Sequence, residues 1–388
     1  MFAGFSTQAV LTGLLVSIVG FGSSFAVVLQ GLSSVGASPA QAASGLMALS
    51  VAMGLCGIIV SIRTQMPVSV AWSTPGAALL ATVPALDGGF SAAVGAFLVC
   101  GVMLILAGLW RPIGRIVGAI PTSIANAMLA GVLFNFCISP VLAVGEFPII
   151  TLVIVGVWAI MLKINRLYAM PVATVAAALL IAANFDHADL ANARLIATPL
   201  VVQPIFTLEA IIGVALPLFI VTMASQNVPG VAVLRARDYN PDASPLFRDT
   251  GLFSLLSAPF GGHAVNLAAI TASMCVGPDA HPDPARRYWA AAASGVFYVV
   301  FGVFSGAVVA MAGLAPPVIL MTIAGLALMG AFGGALSGSL AQPDGREAAL
   351  VTFFTAASGI AFLGVGSAFW GLVAGGLLHL FLKSFKTA

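Results

Sequence analysis

The stretch Pro67-Val-Ser-Val-Ala-Trp-Ser-Thr-Pro-Gly-Ala-Ala-Leu-Leu-Ala81 decides the fold, and Pro259-Phe-Gly-Gly-His-Ala-Val-Asn-Leu-Ala-Ala-Ile-Thr271 echoes it in the second half of the chain. In the first stretch, Val68 to Trp72 reads as a short strand, and Thr74-Pro75 as the cap and first turn of a helix. An apolar segment that begins extended and turns helical partway through a bilayer is tolerated only where it lines a cavity. The sequence therefore predicts two half-helices that face a cavity.

Composition places these stretches in a membrane. The chain has 388 residues, of which 61% are hydrophobic and 7% are charged, whereas soluble domains are about 25% charged. The apolar runs are roughly 17 to 25 residues long, which is typical of membrane helices and not of barrel strands. Met1 to Ser6 contain no Lys or Arg, so the first run is predicted to be a retained helix and not a signal peptide.

Several classes of function are excluded by the residues that the chain lacks. The four cysteines lie in apolar runs without metal-ligand or pairing spacing, so neither a disulfide, a metal nor a cofactor is expected. A net charge of +2 with no basic block argues against nucleic acid. The spans carry no metalloprotease, nucleophile-elbow or phosphate-loop motif, so we do not expect an enzyme.

The apolar runs divide into fourteen segments, of which the third and the tenth are the ones interrupted by Pro and Gly. This pattern predicts an all-α membrane protein in which these two segments are half-helices preceded by short strands. The segments cover about 7–30, 40–62, 67–86, 91–110, 120–144, 147–163, 168–184, 208–227, 243–258, 259–277, 288–312, 316–339, 347–365 and 368–385.

The distribution of charge supports this count. With a cytoplasmic N-terminus, thirteen of the fourteen basic residues fall in inner loops and Arg194 alone lies outside. The positive-inside rule predicts this asymmetry. Both termini are therefore predicted to be cytoplasmic. The inner set is Arg63, Arg111, Arg115, Lys163, Arg166, Arg235, Arg237, Arg248, Arg286, Arg287, Arg346, Lys383 and Lys386.

The two halves of the chain match each other. Pro67 and Pro259 are 192 positions apart, and Met128-Leu-Ala-Gly131 and Thr322-Ile-Ala-Gly325 are 194 apart, which is half of 388. Because seven spans is an odd number, the second half must enter the membrane in the opposite orientation. The sequence predicts an inverted repeat of 1–194 and 195–388, an arrangement typical of secondary transporters.

Four strings carry a resemblance to a known family: Ala71–Ala78, Met223–Gly230, Gly277–Arg287 and Gly364–Gly371. At these strings, and nearly end to end, the chain resembles the benzoate membrane transport family of bacterial benzoate/proton symporters. That family is similar to nucleobase and sulfate-permease transporters. The resemblance implies a bacterial inner-membrane location and two domains, a core of about 7–110 and 208–313 and a gate of about 111–207 and 314–388.

The resemblance also implies that substrate binds between the third and tenth segments, beside the first and eighth. The half-helix N-termini independently point there, since their free N–H groups and positive dipole ends suit a carboxylate. The substrate-binding candidates are the polar, aromatic and glycine residues of these segments. They are Ser24, Gln30, Trp72, Ser73, Thr74, Gly76, Ser225, Gln226, Asn227, His263 and Asn266.

Each candidate has a structural alternative. Thr74 and Asn266 either cap the half-helices, donate to the carboxylate, or do both. Trp72 either stacks on a benzoate ring or packs in the protein. Polar residues on the first and eighth segments either face the cavity or bond to neighbouring helices.

Two residues are candidates for proton coupling. Glu209 is the acidic residue that we place inside a span, although a helix-dipole role at the start of the eighth segment also explains it. His263 titrates near neutral pH in water, although a structural hydrogen bond also explains it. The resemblance to nucleobase transporters implies an acidic residue near Ser225 and Gln226, but neither of these side chains ionises, so the sequence departs from that pattern and offers no matching proton site there.

The sequence thus predicts proton-coupled import of benzoate or a similar aromatic monocarboxylate, without a cofactor or metal. Its partners are the substrate, the proton and the lipid bilayer, and a homodimer is left open. The alternatives are a transporter of the same fold for a nucleobase or another small anion, and a passive anion facilitator.

Overall fold

The computed structural model describes residues 6–110, 121–185, 194–269, 271–343 and 345–386. Within these ranges, seven helices are long and apolar enough to cross a bilayer, and a pair bent by 54° makes an eighth span if it is counted as one. Two shorter apolar helices accompany them. The chain is therefore a multi-pass, mostly helical membrane protein. Arg111 and Arg115 of the predicted inner loops lie outside the described residues.

The described residues of the first half form seven α-helices and one strand. After the fourth helix, residues 111–120 fall outside the description. The elements are α1 (Thr7–Ser34), α2 (Pro39–Thr64), β1 (Val70–Trp72), α3 (Thr74–Leu80), α4 (Gly89–Leu109), α5 (Thr122–Glu146), α6 (Pro148–Ile164) and α7 (Ala169–Asn184).

The described residues of the second half begin with a long helix and also include one strand. Its elements are α8 (Leu208–Arg235), α9 (Ala243–Ser257), β2 (Val265–Leu267), α10 (Ala272–Cys275), α11 (Tyr288–Val303), α12 (Ser305–Gly313), α13 (Pro317–Leu340), α14 (Arg346–Ala357) and α15 (Ser367–Lys386).

Helix starts follow local chemistry. Ser38 and Gln41 form a reciprocal capping box at the start of α2, which satisfies two N–H groups that the helix itself leaves free. Asp242 caps α9 by accepting from Ser244 N.

Helix α8 contains two π-turns, Ile211–Ala215 and Met223–Asn227, each followed within two residues by a proline. Proline lacks an N–H and crowds the preceding turn, so a widened turn relieves both problems.

Four predicted segments differ from the structure, and one of them is the third, which was expected to run over 67–86 although α3 ends at Leu80. The thirteenth was expected to be helical over 347–365, but α14 ends at Ala357 and is followed by a tight turn with a bridge between Phe362 and Val365. Gly359 and Gly364 adopt positive φ there, which ends the helix. Among the described residues of the tenth segment, the α-helix is a single turn, α10, and the eighth segment continues to Arg235. Boundaries placed by composition are thus wrong in these four segments.

The centre of the protein is formed by the two strands. Strand β1 pairs antiparallel with β2, with Val70 opposite Leu267, Ala71 opposite Asn266 and Trp72 opposite Val265. Helix α1 packs on α3, and α5 packs on α13. Gly31 permits the α1–α3 contact, because a Cβ there would collide with the carbonyl oxygen of Ala77. Helix α1 therefore packs directly on the helix of the first broken segment.

Candidate functional site: a cavity beside the paired strands

Backbone hydrogen bonds join the two broken segments beyond the strands themselves. Ser73 N donates to Ala264 O at 2.9 Å, and Ala268 N donates to Ser69 O at 2.9 Å. Trp72, Ser73 and Asn266 are all buried. The extended backbone thus finds partners within the protein, as it must at membrane depth.

The cap of α3 is Ser73 and not Thr74, so that prediction was wrong. The Ser73 Oγ accepts from Gly76 N at 3.2 Å and from the Thr222 hydroxyl at 2.9 Å. Pro75 has no N–H to offer. The N-terminus of α3 therefore presents fewer donors to an anion than the sequence suggested, and side chains must supply the rest.

Asn266 does not cap the second half-helix, since α10 begins at Ala272 after Thr271. It lies fully buried in β2. With its amide oriented so that both ends have partners, it donates to Leu267 O at 2.9 Å and accepts from Ser73 N at 3.2 Å. Asn266 thus joins the strands to each other.

A cavity of about 90 Å³ lies beside the strands, between α1, α3, α8, α11 and α13. This volume exceeds what one water molecule needs, so a small molecule has room. Four of the predicted residues line it: Ser24, Trp72, Thr74 and Gln226. Ser23, which belongs with Ser24 to the polar set of the first segment, also lines it, and the lining residues that sequence reasoning missed are Val19, Gly20, Met53, Ala71, Pro75, Ala268, Ala269, Thr271, Tyr298, Ala327, Leu328 and Ala331.

Most polar groups of the cavity wall already have protein partners. The Trp72 indole N–H donates to Ser24 Oγ at 2.9 Å, and the Tyr298 hydroxyl donates to Val16 O at 3.3 Å. The Thr271 hydroxyl lies 3.3 Å from that of Ser69. The Trp72 ring packs on Phe21 with centroids 5.3 Å apart. These contacts fix the shape of the cavity.

Two polar side chains of the wall are different. Neither the Gln226 amide nor the Thr74 hydroxyl makes a hydrogen bond within the described part of the chain. Gln226 lies on the second π-turn of α8, which sets the direction of its side chain. The two groups are therefore available to a ligand.

The other predicted residues form a buried framework or lie elsewhere. Asn227 accepts from Leu267 N at 2.9 Å, which ties α8 to β2. The His263 Nε2 donates to Ser73 O at 2.9 Å, and the ring is fully buried beside Phe97. Gly76 packs against Ser73 and against Leu218 of α8.

Two of the predicted residues lie away from the main cavity. The Ser225 hydroxyl donates to Val221 O at 2.6 Å within α8. Gln30 donates to Ser34 Oγ and lines a separate cavity of about 270 Å³ with Asn135 and Thr82.

Neither proton-coupling candidate lines the main cavity. Glu209 is half-buried in the first turn of α8, where its carboxyl group lies against Gly364. Thr207 caps that helix by accepting from Ala210 N. Among the described residues, the cavity wall contains no Asp, Glu, His, Lys or Arg, and no three potential metal ligands cluster.

Comparison with known proteins places this geometry in a family. Residues 3–381 match the family of benzoate membrane transport proteins. The chain belongs to this family. One relative, the "Inner membrane protein YdcO" of Escherichia coli, is 38% identical over 96% of this chain and 95% of its own length. A second member, the "Benzoate membrane transport protein" of Acinetobacter baylyi, is 33% identical over 99% of this chain and 97% of its own length.

Solved structures share the fold at low sequence identity. The transmembrane domain of a cyanobacterial bicarbonate transporter, BicA, is 14% identical, with a TM-score of 0.61 over 95% of this chain and 96% of that one. SLC26A9 is 12% identical, with a TM-score of 0.64 over 100% of this chain and 66% of that one. Family and fold together make the chain a membrane transporter and not an enzyme.

Proposed function

We propose that the chain imports benzoate, or a similar aromatic monocarboxylate, by proton symport. The observation that carries the proposal is the cavity beside the paired strands, whose wall is mostly apolar and holds two polar groups that make no hydrogen bond to any described residue. A flat apolar ring with one anionic end matches such a wall. The matched family and its Acinetobacter baylyi member support the same substrate.

In this proposal the carboxylate binds at Gln226 and Thr74. The Gln226 amide offers two N–H donors and the Thr74 hydroxyl offers one, and hydrogen bonds to an ionised group are stronger than neutral ones. The positive end of α3 adds a smaller contribution. The ring then contacts the apolar wall formed by Trp72, Met53 and Leu328.

We also propose the architecture of fourteen segments in two inverted halves, with core and gate domains moving against each other. Helix α2 packs on α11, and α4 packs on α9. In the proposed repeat α2 corresponds to α9, and α4 corresponds to α11. Exchanging the halves therefore converts the α2–α11 contact into the α9–α4 contact, which supports the repeat. The cavity lies between core helices and α13 of the gate, so relative movement would expose it to each side in turn. In this proposal both termini lie in the cytoplasm, as the positive-inside rule predicts.

One observation favours a second candidate, a passive facilitator of small anions. Among the described residues, no Asp, Glu or His lines the cavity, so proton coupling must act from outside the wall, through Glu209 or His263. A transporter of the same fold for a nucleobase remains an alternative, because an amide both donates and accepts.

Uptake into liposomes tests the proposal. Purified protein should accumulate labelled benzoate above the outside concentration under an inward proton gradient, and accumulation should stop when an ionophore collapses the gradient. Glu209→Gln and His263→Asn, assayed separately, should identify the coupling group, which loses gradient-driven uptake but keeps benzoate counterflow. Flux that never concentrates benzoate would favour the facilitator, and uptake of uracil without benzoate would favour the nucleobase transporter.

A further inference from the structure

Helices α2 and α9 pack against each other outside the transport cavity, and we use the word groove for the strip along this contact where both helices expose apolar side chains. Its rims are large apolar side chains that the protein leaves exposed, namely Leu55, Ile59 and Ile62 on α2 and Leu252 and Leu256 on α9. These positions recur every three or four residues and so share one face of each helix. An exposed apolar groove in a membrane protein contacts lipid or another protein.

One end of the groove deepens into an apolar cavity of about 230 Å³. Side chains from both helices form its wall, including Val51 and Leu55 from α2 and Phe253 and Leu256 from α9, with Phe260 beside them. Its shape and chemistry fit a hydrocarbon chain, because the wall is almost wholly apolar.

The other end of the groove is charged. Arg63, in the last turn of α2, pairs with Asp249 of α9, and the Arg248 guanidinium donates to the other oxygen of that carboxylate at 3.0 Å. The Asp249 side chain is 10% exposed, whereas each arginine side chain is 44% exposed. Two guanidinium groups thus share one carboxylate, which leaves one positive charge and several N–H donors facing outward.

The distance between the two ends suits a lipid. Val51 and Arg63 are twelve positions apart on one helix, which corresponds to about 18 Å at the α-helical rise. Half of a bilayer's hydrocarbon core is about 15 Å thick. Trp110 is exposed and directly follows the last residue of α4. Gly108, in the last turn of α4, lies close to the backbone of Arg248. Tryptophan is enriched at the level of lipid headgroups, so Arg63 and Arg248 lie where a headgroup would be.

We propose that this groove binds one anionic phospholipid, with its phosphate on Arg63 and Arg248 and one acyl chain extending between α2 and α9 into the apolar cavity. Basic pockets at the ends of membrane helices recognise acidic headgroups. The excess of positive charge favours an anionic lipid over a zwitterionic one. A second copy of the chain would need an acidic surface opposite these arginines.

Native mass spectrometry of the full-length protein in detergent tests the proposal, with phosphatidylglycerol and phosphatidylcholine as probes. Wild type should retain phosphatidylglycerol in preference to phosphatidylcholine. Arg63→Gln and Arg248→Gln should each lower the phosphatidylglycerol-bound fraction about fivefold, as expected for one cationic side chain at the membrane surface. Each variant leaves Asp249 one arginine partner. Arg235→Gln removes an exposed charge at the end of α8 and should have no effect.

Ala48→Phe provides a second test that leaves the ion pairs intact. Ala48 lines the apolar cavity, so a phenyl group there should fill the space of the acyl chain and lower phosphatidylglycerol retention. Equal retention of both lipids by wild type, or an equal loss in Arg235→Gln and Arg63→Gln, would overturn the proposal. A dimer that Arg63→Gln dissociates would show that a second copy covers the groove instead. These readouts use no benzoate and are independent of the transport assay.

Discussion

Gln226→Leu is expected to weaken benzoate binding by about 10- to 100-fold, because a hydrogen bond to a charged group contributes about 1.5–3 kcal/mol. Leucine has a similar size and places no polar group in the wall, so the cavity should keep its shape. Isothermal titration of the purified variant with benzoate measures the change. The amide of Gln226 makes no hydrogen bond within the described chain, so its removal should leave the fold intact.

Ser225→Ala is the matched control for this experiment. Ser225 is the preceding residue on the same π-turn, but its hydroxyl donates to Val221 O and it does not line the cavity. It should bind benzoate with wild-type affinity. If Gln226→Leu also bound like wild type, Gln226 would not contact the carboxylate.

Gly31→Ala is expected to destabilise the protein by about 1–3 kcal/mol, the usual cost of overpacking a filled interior. The added Cβ would collide with the backbone carbonyl of Ala77, which cannot move without shifting α3. Because α3 forms one wall of the cavity, benzoate affinity should fall together with stability. Thermal unfolding of the detergent-solubilised protein, with and without benzoate, measures both effects.

Gly22→Ala is the control on the same helix. A Cβ at Gly22 meets no atom within 4 Å, and alanine favours a helix over glycine by roughly 0.5–1 kcal/mol. This variant should therefore match or exceed the wild-type melting temperature. Equal melting temperatures for Gly31→Ala and Gly22→Ala would contradict a close α1–α3 contact.

Much of the fold could be predicted from the sequence because the signals are local. Hydrophobic run length identified membrane helices, and the Pro and Gly residues around Trp72 and His263 identified the two segments that contain strands. The ends of helices were less predictable. Ser73 and Thr74 both have hydroxyl groups suited to a cap, and only the backbone conformation selects Ser73.

The candidate site was predicted only in part, because its wall depends on tertiary packing. The sequence placed Trp72, Thr74 and Gln226 near a cavity, and they line it. Tyr298 lies in an apolar run that carries no distinguishing pattern. The Arg63–Asp249 pair joins residues that are 186 positions apart, so no local sequence pattern predicts the contact. His263 and Asn266, which the sequence places at the substrate, hydrogen-bond to Ser73 and Leu267 and do not line the cavity.

The central claim, that benzoate binds in the cavity beside the paired strands, is tested most directly by protection of an introduced thiol at position 74. The four native cysteines are buried, so a small methanethiosulfonate reagent should react selectively with Thr74→Cys, which replaces a partly exposed wall residue. Ser337→Cys, at an exposed position of α13 away from the cavity wall, reports the intrinsic rate. The account predicts that saturating benzoate slows labelling of Thr74→Cys by about tenfold or more, as expected for an occluded site at high occupancy, and leaves Ser337→Cys unchanged. Unchanged labelling of Thr74→Cys at benzoate concentrations that saturate uptake would show that the substrate binds elsewhere.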